Sequence, residues 1–241
     1  MTDARDPDVR RFPVLTTMAL AVATVAAVVQ YAVPGAVSTL QRDPDGLTHG
    51  QWWRVVTPLL VQTLGWHQVL ANLVTLALIG LISEWLLGRR RWLVLFASGT
   101  IAGQVAAYTW SEPGGGASIA ICGLAGGTAV ALLAHPSPVP RLAAHPVVYY
   151  IAALTGWGFG GLLEAGLGCL AAGVLLHGLR QIAGVNAERV ALIGTVVCAI
   201  ALAATFDLHG VSLISGMAVQ PLGRIKFQFG PHWRDRGVRT G

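Results

Sequence analysis

Long apolar stretches separated by short polar breaks run along the whole chain. A helix needs about 20 mostly apolar residues to cross a bilayer. Runs of that kind are predicted from Pro13 to about Val33, and near 67–87, 92–110, 117–134, 147–163, 165–183, 189–206 and 208–223. The last is short and rich in Ser and Gly, a composition that calls for neighbouring protein rather than lipid around it. The first is too long for the apolar region of a cleaved signal peptide and reads as a signal anchor. Between the first two runs lies a polar, Trp-rich connection, residues 34–66, containing Trp52-Trp53-Arg54. It is too amphipathic to span and is predicted to lie in the membrane interface. The pattern therefore predicts an all-α integral membrane bundle of eight transmembrane helices with an interfacial first loop. The bundle occupies residues 13–223, between a cytoplasmic N-terminal segment, 1–12, and a basic cytoplasmic tail, 224–241. No internal repeat and no separate soluble domain is evident.

Composition sharpens this picture. Apolar residues make up 54% of the chain and charged residues 11%, against about 25% charged in an ordinary soluble domain. The charges crowd into the first eleven residues, the tail from Arg224 and the breaks between apolar runs. With the N-terminus inside and eight spans, only Arg42 and Arg54 of the 16 Lys and Arg fall outside. That asymmetry satisfies the positive-inside rule, and it predicts a multi-pass cell-membrane protein with both termini cytoplasmic. The net charge of +5 then reflects topology. No basic patch is interleaved with aromatics, so nucleic acid is not an expected partner, and the tail is expected to meet anionic lipid headgroups. Cys122, Cys169 and Cys198 all lie inside apolar runs, which excludes a disulfide framework or a CxxC zinc site and suits small packed hydrophobes. Nothing reads as a metal, phosphate or flavin site, so no cofactor is expected.

Polar groups at membrane depth are costly and mark functional candidates. Gly114-Gly115-Gly116-Ala117-Ser118 opens an apolar run. A Ser in the first helical turn sits where free N–H groups and the helix dipole favour negative charge, which suits a nucleophile whose attack creates an oxyanion. The same Ser would equally serve as a helix cap. Phe206-Asp207-Leu208-His209 opens the last run. His is the usual base for a Ser nucleophile, although His209 could also simply close a helix end. Both runs descend from the outside in the eight-span count. Each also carries a small-xxx-small pair, Gly123 with Gly127 and Ser212 with Gly216, which would let the two helices approach closely. Gln68 and Asn72, four apart, share a helix face and could donate amide hydrogens to an oxyanion or link helices. Glu84, near Arg89, Arg90 and Arg91, reads as structural, and Asp207 and Glu164 as outer-surface groups.

Taken in order, these features resemble the rhomboid family. They comprise Trp53-Arg54 and Thr57, Trp66-His67-Gln68-Val69-Leu70-Ala71-Asn72, and Glu84-x-x-x-Gly88-x-x-Arg91. Gly116-Ala117-Ser118-x-Ala120 with Gly123-Leu124 follows, and then His209 with Gly216. The likeness covers about Trp53 to Gly216. It implies an intramembrane serine protease with a Ser–His dyad and no third acid. Ser118 would be the nucleophile, His209 the base, and Asn72, with Gln68, an oxyanion donor. Substrates would be transmembrane helices, cut near their outer ends. The chain departs from the family pattern at Ile119, where the family has Gly, and at Gln68, where it has His. The Ser-to-His separation is also longer by about a helical pair. A second alignment is therefore open, in which Ala165-Gly166-Leu167-Gly168 stands for the family's His helix, with Gly166 in the histidine's place. It would make the chain a non-catalytic rhomboid-like protein that binds and escorts transmembrane segments.

Overall fold

A computed structural model describes residues 12–134 and 142–220. Most of the N-terminal segment, Arg141 and the basic tail from Arg224, on which several topological expectations fall, lie outside the described residues. The described chain is helical throughout, as α1 (Val14–Ala32), α2 (Ala36–Leu40), α3 (Pro44–Thr48), two 3-10 turns (Trp52–Val55 and Thr57–Leu59), α4 (Trp66–Thr109), α5 (Ser118–Ala134), α6 (Ala144–Gly160), α7 (Leu162–Ala183), α8 (Ala187–Ala204) and α9 (Leu208–Val219). The fold is an all-α membrane protein. Of these helices, α1, α4, α7 and α8 contain segments long and apolar enough to cross a bilayer.

The runs predicted at 67–87 and 92–110 are joined in α4, which is broken at Gly88 (φ 78°, ψ 167°). That backbone conformation is open to glycine and costly for other residues. In a straight helix, residues 80 and 92 would lie roughly 18 Å apart. Instead the Trp92 indole N–H donates to the Gly80 carbonyl at 3.1 Å, so the two halves of α4 form a hairpin. Arg89, Arg90 and Arg91 are exposed at its turn. The helices matching the other predicted runs begin and end within three residues of them, except that α9 ends at Val219 and not at 223.

The connection 34–66 folds into α2, α3 and the two 3-10 turns, with the Trp52, Trp53, Val55 and Val56 side chains exposed. Inside it, the buried Arg54 guanidinium donates to the carbonyls of Gln41 and Ser38 and to Gln51 Oε1. The loop is therefore organised around a cation whose donors are met by two main-chain oxygens and the Gln51 side-chain oxygen.

Helix α5 is the centre of the bundle. Every residue from Ile119 to Leu132 is buried, as expected of a helix that is apolar all round. It packs against both halves of α4, and against α9, α8 and α6, while α1 flanks α4 and α7 flanks α6. Backbones touch at the closest contacts. A Cβ on Gly216 of α9 would lie 2.1 Å from the Gly123 carbonyl oxygen, and one on Gly123 would lie 2.3 Å from the Leu95 carbonyl oxygen of α4. Of the predicted small-residue pairs, Gly123 and Gly216 meet directly. Gly127 instead faces Leu95, and Gly126 faces the Leu213 backbone.

Glu84 has a structural role that joins two helices. Its buried carboxylate accepts from the Leu15 and Thr16 amides (3.1 and 2.8 Å) and from the Thr16 hydroxyl (2.9 Å), and it lies 3.6 Å from Arg89. A carboxylate on the unpaired N–H groups of a first helical turn is favoured by both hydrogen bonding and the helix dipole. Replacing Glu84 by Ala leaves those donors without an acceptor and should cost on the order of 3 kcal/mol. The thermal midpoint in detergent should fall clearly, and fall less for Glu84→Gln, which keeps an acceptor oxygen. Gly216→Ala, which must push α9 from α5, should cost roughly 1–3 kcal/mol. Gly178→Ala, with open space around its Cβ, should not lower the same midpoint, since Ala is the better helix former.

Candidate active site

Ser118 is the first residue of α5 and His209 the second of α9. The Gly123–Gly216 contact brings the starts of these two helices together. Ser118 Oγ lies 2.7 Å from His209 Nε2. Helix α9, and not α7, lies against α5. Gly166, the alternative occupant of the histidine's place, lies on α7 across the cavity that Ser118 and His209 also line.

The loop between α4 and α5 is held in place along its length. Arg42, buried in the first loop, donates to the Glu112 carbonyl and to Gln104 Oε1, and its backbone pairs with Gly114 in both directions. The Gly116 amide donates to the Pro58 carbonyl. From the other side, the Tyr150 hydroxyl of α6 donates to the Ser118 carbonyl at 3.2 Å and contacts Cys122 Sγ. The first turn of α5 is thus fixed from the loop, from α4 and from α6. Ile119, 3% exposed, packs against Gly103 of α4, where a Cβ would lie 2.7 Å from its Cγ2. The glycine opposite makes room for the branched side chain.

Gln68 and Asn72 line the same cavity as Ser118. Both amides are already oriented by neighbours. Gln68 Oε1 accepts from the Leu64 amide and its Nε2 donates to the Gly115 carbonyl, while Asn72 Nδ2 donates to Gln62 Oε1 at 2.6 Å. Gln62 is tied in turn to Gln30 of α1 by two hydrogen bonds. Each NH₂ group carries a second hydrogen. The position that a Cβ of Gly116 would take lies 2.6 Å from Gln68 Nε2 and 3.4 Å from Ser118 Oγ. A glycine there keeps open the space between the amide and the hydroxyl. His67 joins the cavity lining and packs against Trp157 of α6 at 5.2 Å between ring centroids.

Two cavities meet at Ser118 and His209. One, of about 330 Å³, is walled by apolar side chains of α4, α6 and α7, including Ala71, Ala153, Leu154, Ala165 and Gly166. The other, of about 480 Å³, is bordered by Arg42, Thr63, Glu112, the Gly114–Gly116 loop and Asp207. Ser118 and His209 thus stand at the boundary of an apolar and a polar recess. No group of three or more His, Cys, Asp or Glu arranged to hold a metal ion occurs among the described residues.

Sequence reading missed Asp207, which it placed at the outer surface. Its Oδ1 accepts from the His209 backbone amide at 2.8 Å and lies 2.6 Å from His209 Nδ1. Burial alone would raise the Asp207 pKa, but the hydrogen bonds and charge of His209 outweigh it and hold the carboxyl below its ordinary value. The available signal was an Asp two residues before a His at a helix start, the pattern of an N-cap. Tyr150 and Gln62 carried no comparable signal, since their roles arise from distant contacts.

The Rhomboid domain profile matches residues 49–180, more than half of the chain. Two relatives come from Bacillus subtilis (strain 168). YdcA, which carries a rhomboid-protease name, is 36% identical over 85 residues, covering 34% of this chain and 42% of the relative. The rhomboid protease GluP is 28% identical over 114 residues, covering 47% of this chain and 22% of the relative. The chain thus matches less than half the length of either relative. No solved structure matches the chain significantly. The profile match ends before α8 and α9, so the pairing of His209 with Ser118 stands on the geometry alone. From the extent of that match, together with the apolar helical bundle, the chain belongs to the rhomboid family.

Proposed function

We propose that this chain is an intramembrane serine endopeptidase that cleaves transmembrane helices with Ser118 as nucleophile and His209 as general base. The observation that carries the reading is the 2.7 Å contact of Ser118 Oγ with His209 Nε2 at the boundary of an apolar and a polar cavity. A hydroxyl within hydrogen-bond reach of an imidazole can pass its proton to the ring as it attacks a carbonyl carbon. The tetrahedral oxyanion would be met by the Ser118 amide at the head of α5 and by the second amide hydrogens of Gln68 and Asn72. On collapse, His209 returns the proton to the leaving amine. Water from the polar cavity then hydrolyses the acyl-enzyme, again with His209 as base. An unwound stretch of substrate helix enters through the apolar cavity, whose α7 face is formed by Leu162, Ala165, Gly166 and Cys169. In this reading eight helices span the cell membrane, with both termini cytoplasmic and the Ser118 end facing outward.

A fluorophosphonate probe should label the detergent-solubilised wild-type protein, and labelling should vanish in both Ser118→Ala and His209→Ala. Labelling that survives Ser118→Ala sinks the nucleophile assignment. Folded wild-type protein that does not label, beside a working serine protease, shifts the reading to a helix-binding rhomboid-like protein. Gly166→Phe supplies an independent check on the substrate path. Filling the apolar cavity should raise KM about tenfold or more, a loss of roughly 1.4 kcal/mol, for a transmembrane substrate that the wild type cleaves. Labelling by the small probe should stay near the wild-type rate.

A further inference from the structure

The link between α8 and α9 is short and unusually constrained. Helix α8 ends in a Schellman motif, in which the Asp207 amide donates to the Leu202 carbonyl (2.9 Å) and the Phe206 amide to the Ala203 carbonyl (3.1 Å). The residue in the left-handed position of such a motif is usually Gly. Here it is Phe206, at φ 60°, with its ring exposed and edge-on to Trp110. Asp207 follows immediately and is the N-cap of α9. One residue thus closes one helix through its backbone and opens the next through its carboxylate. Its position is set from both sides before any contact with His209 is counted.

That same Oδ1 receives the His209 ring. The Nδ1 distance is 2.6 Å, and both side chains are largely shielded, at 22% exposure for His209 and 25% for Asp207. An ionised carboxylate can only accept hydrogen bonds, so Nδ1 carries the hydrogen. In the neutral ring Nε2 then has the lone pair, and it is Nε2 that faces Ser118 Oγ. The wrong tautomer would point an N–H at the nucleophile and could not take its proton. When Nε2 does take the proton, the ring becomes a cation lying against the Asp207 carboxylate.

We propose that Asp207 is a positioning residue that fixes the base-competent tautomer of His209 and stabilises the imidazolium formed during attack, converting the dyad into a Ser118–His209–Asp207 relay. This rests on the reading of Ser118 and His209 given above, and it adds an acid that the family resemblance does not include. During attack the proton moves from Ser118 Oγ to His209 Nε2 and from there to the leaving amine, and Asp207 remains a carboxylate throughout.

The competing account is that Asp207 is only a helix cap. Asn is as good an N-cap as Asp, so Asp207→Asn separates the two. As a cap alone, the Asn variant keeps both the thermal midpoint and the fluorophosphonate labelling rate of the wild type. As a positioning residue, it keeps the midpoint but labels about 10²- to 10⁴-fold more slowly, the scale set by neutralising the acid of a Ser-His-Asp triad. With a cleavable substrate, the loss falls on kcat and not on KM. Asp207→Ser, a second competent cap without charge, should behave like the Asn variant. Labelling lost only in proportion to a lowered midpoint in both variants overturns the proposal. Nitrogen NMR of ¹⁵N-histidine-labelled protein gives a readout independent of activity. The neutral His209 ring should be protonated at Nδ1 and bare at Nε2 in the wild type, and finding the reverse also overturns the proposal. Wild-type protein that never labels defeats the protease reading instead, and the ring spectrum alone then decides whether Asp207 sets the tautomer.

Discussion

Three helices meet at Gly123, where backbone atoms of α4 and α9 lie too close for any side chain. In lipid, apolar helices gain little from leaving a solvent as apolar as themselves, and association rests on close packing and interhelical hydrogen bonds. Backbone contact gives the densest packing available, and it holds the spacing between rigid rods within narrow limits. Ser118 lies five residues before Gly123 and His209 seven before Gly216, so each is about two turns or less from the shared contact. The relative placement of hydroxyl and imidazole therefore follows from glycines that touch neither group. Gly103 extends the same logic to Ile119, whose bulk is absorbed by α4.

The polar side chains around this contact are bound locally and in chains. Gln30 holds Gln62, Gln62 holds Asn72, and Gln68 joins Leu64 to Gly115. Arg42 and Arg54 are buried cations whose donors end largely on carbonyl oxygens of the first loop and of the α4–α5 loop. Such networks satisfy groups that the membrane interior could not solvate. They also stiffen the loops that border the polar cavity, so a chain with few charges holds a polar recess beside an apolar one.

Two carboxylates illustrate how one physical device serves two ends. Glu84 reaches across from α4 to the first turn of α1, while Asp207 caps the helix it begins. Each places negative charge where unpaired amides and the helix dipole welcome it. Glu84 is buried and spends its acceptors on main-chain and threonine donors, which suits a helix-to-helix tie. Asp207 stands at the edge of the polar cavity with the His209 ring against it.

Hydropathy alone was enough to read an all-helical membrane chain, its amphipathic first loop and the approximate position of each helix, because the cost of placing polar backbone or charge in lipid acts on every residue locally. It also singled out Ser118, His209, Gln68 and Asn72, since each is a polar group in an apolar run. What it could not show depends on contacts between residues far apart in the chain. Whether α7 or α9 would stand against α5 could not be settled from topology, for Gly166 and His209 enter from the same side of the membrane in the eight-span count. Packing at Gly123 and Gly216 places α9 there. Asp207 read as a surface acid because its spacing from His209 signals a helix cap at most and carries no ring geometry. Its bearing on His209 appears only once the Phe206 turn has aimed its carboxylate at Nδ1, an outcome of three-dimensional closure and not of local composition.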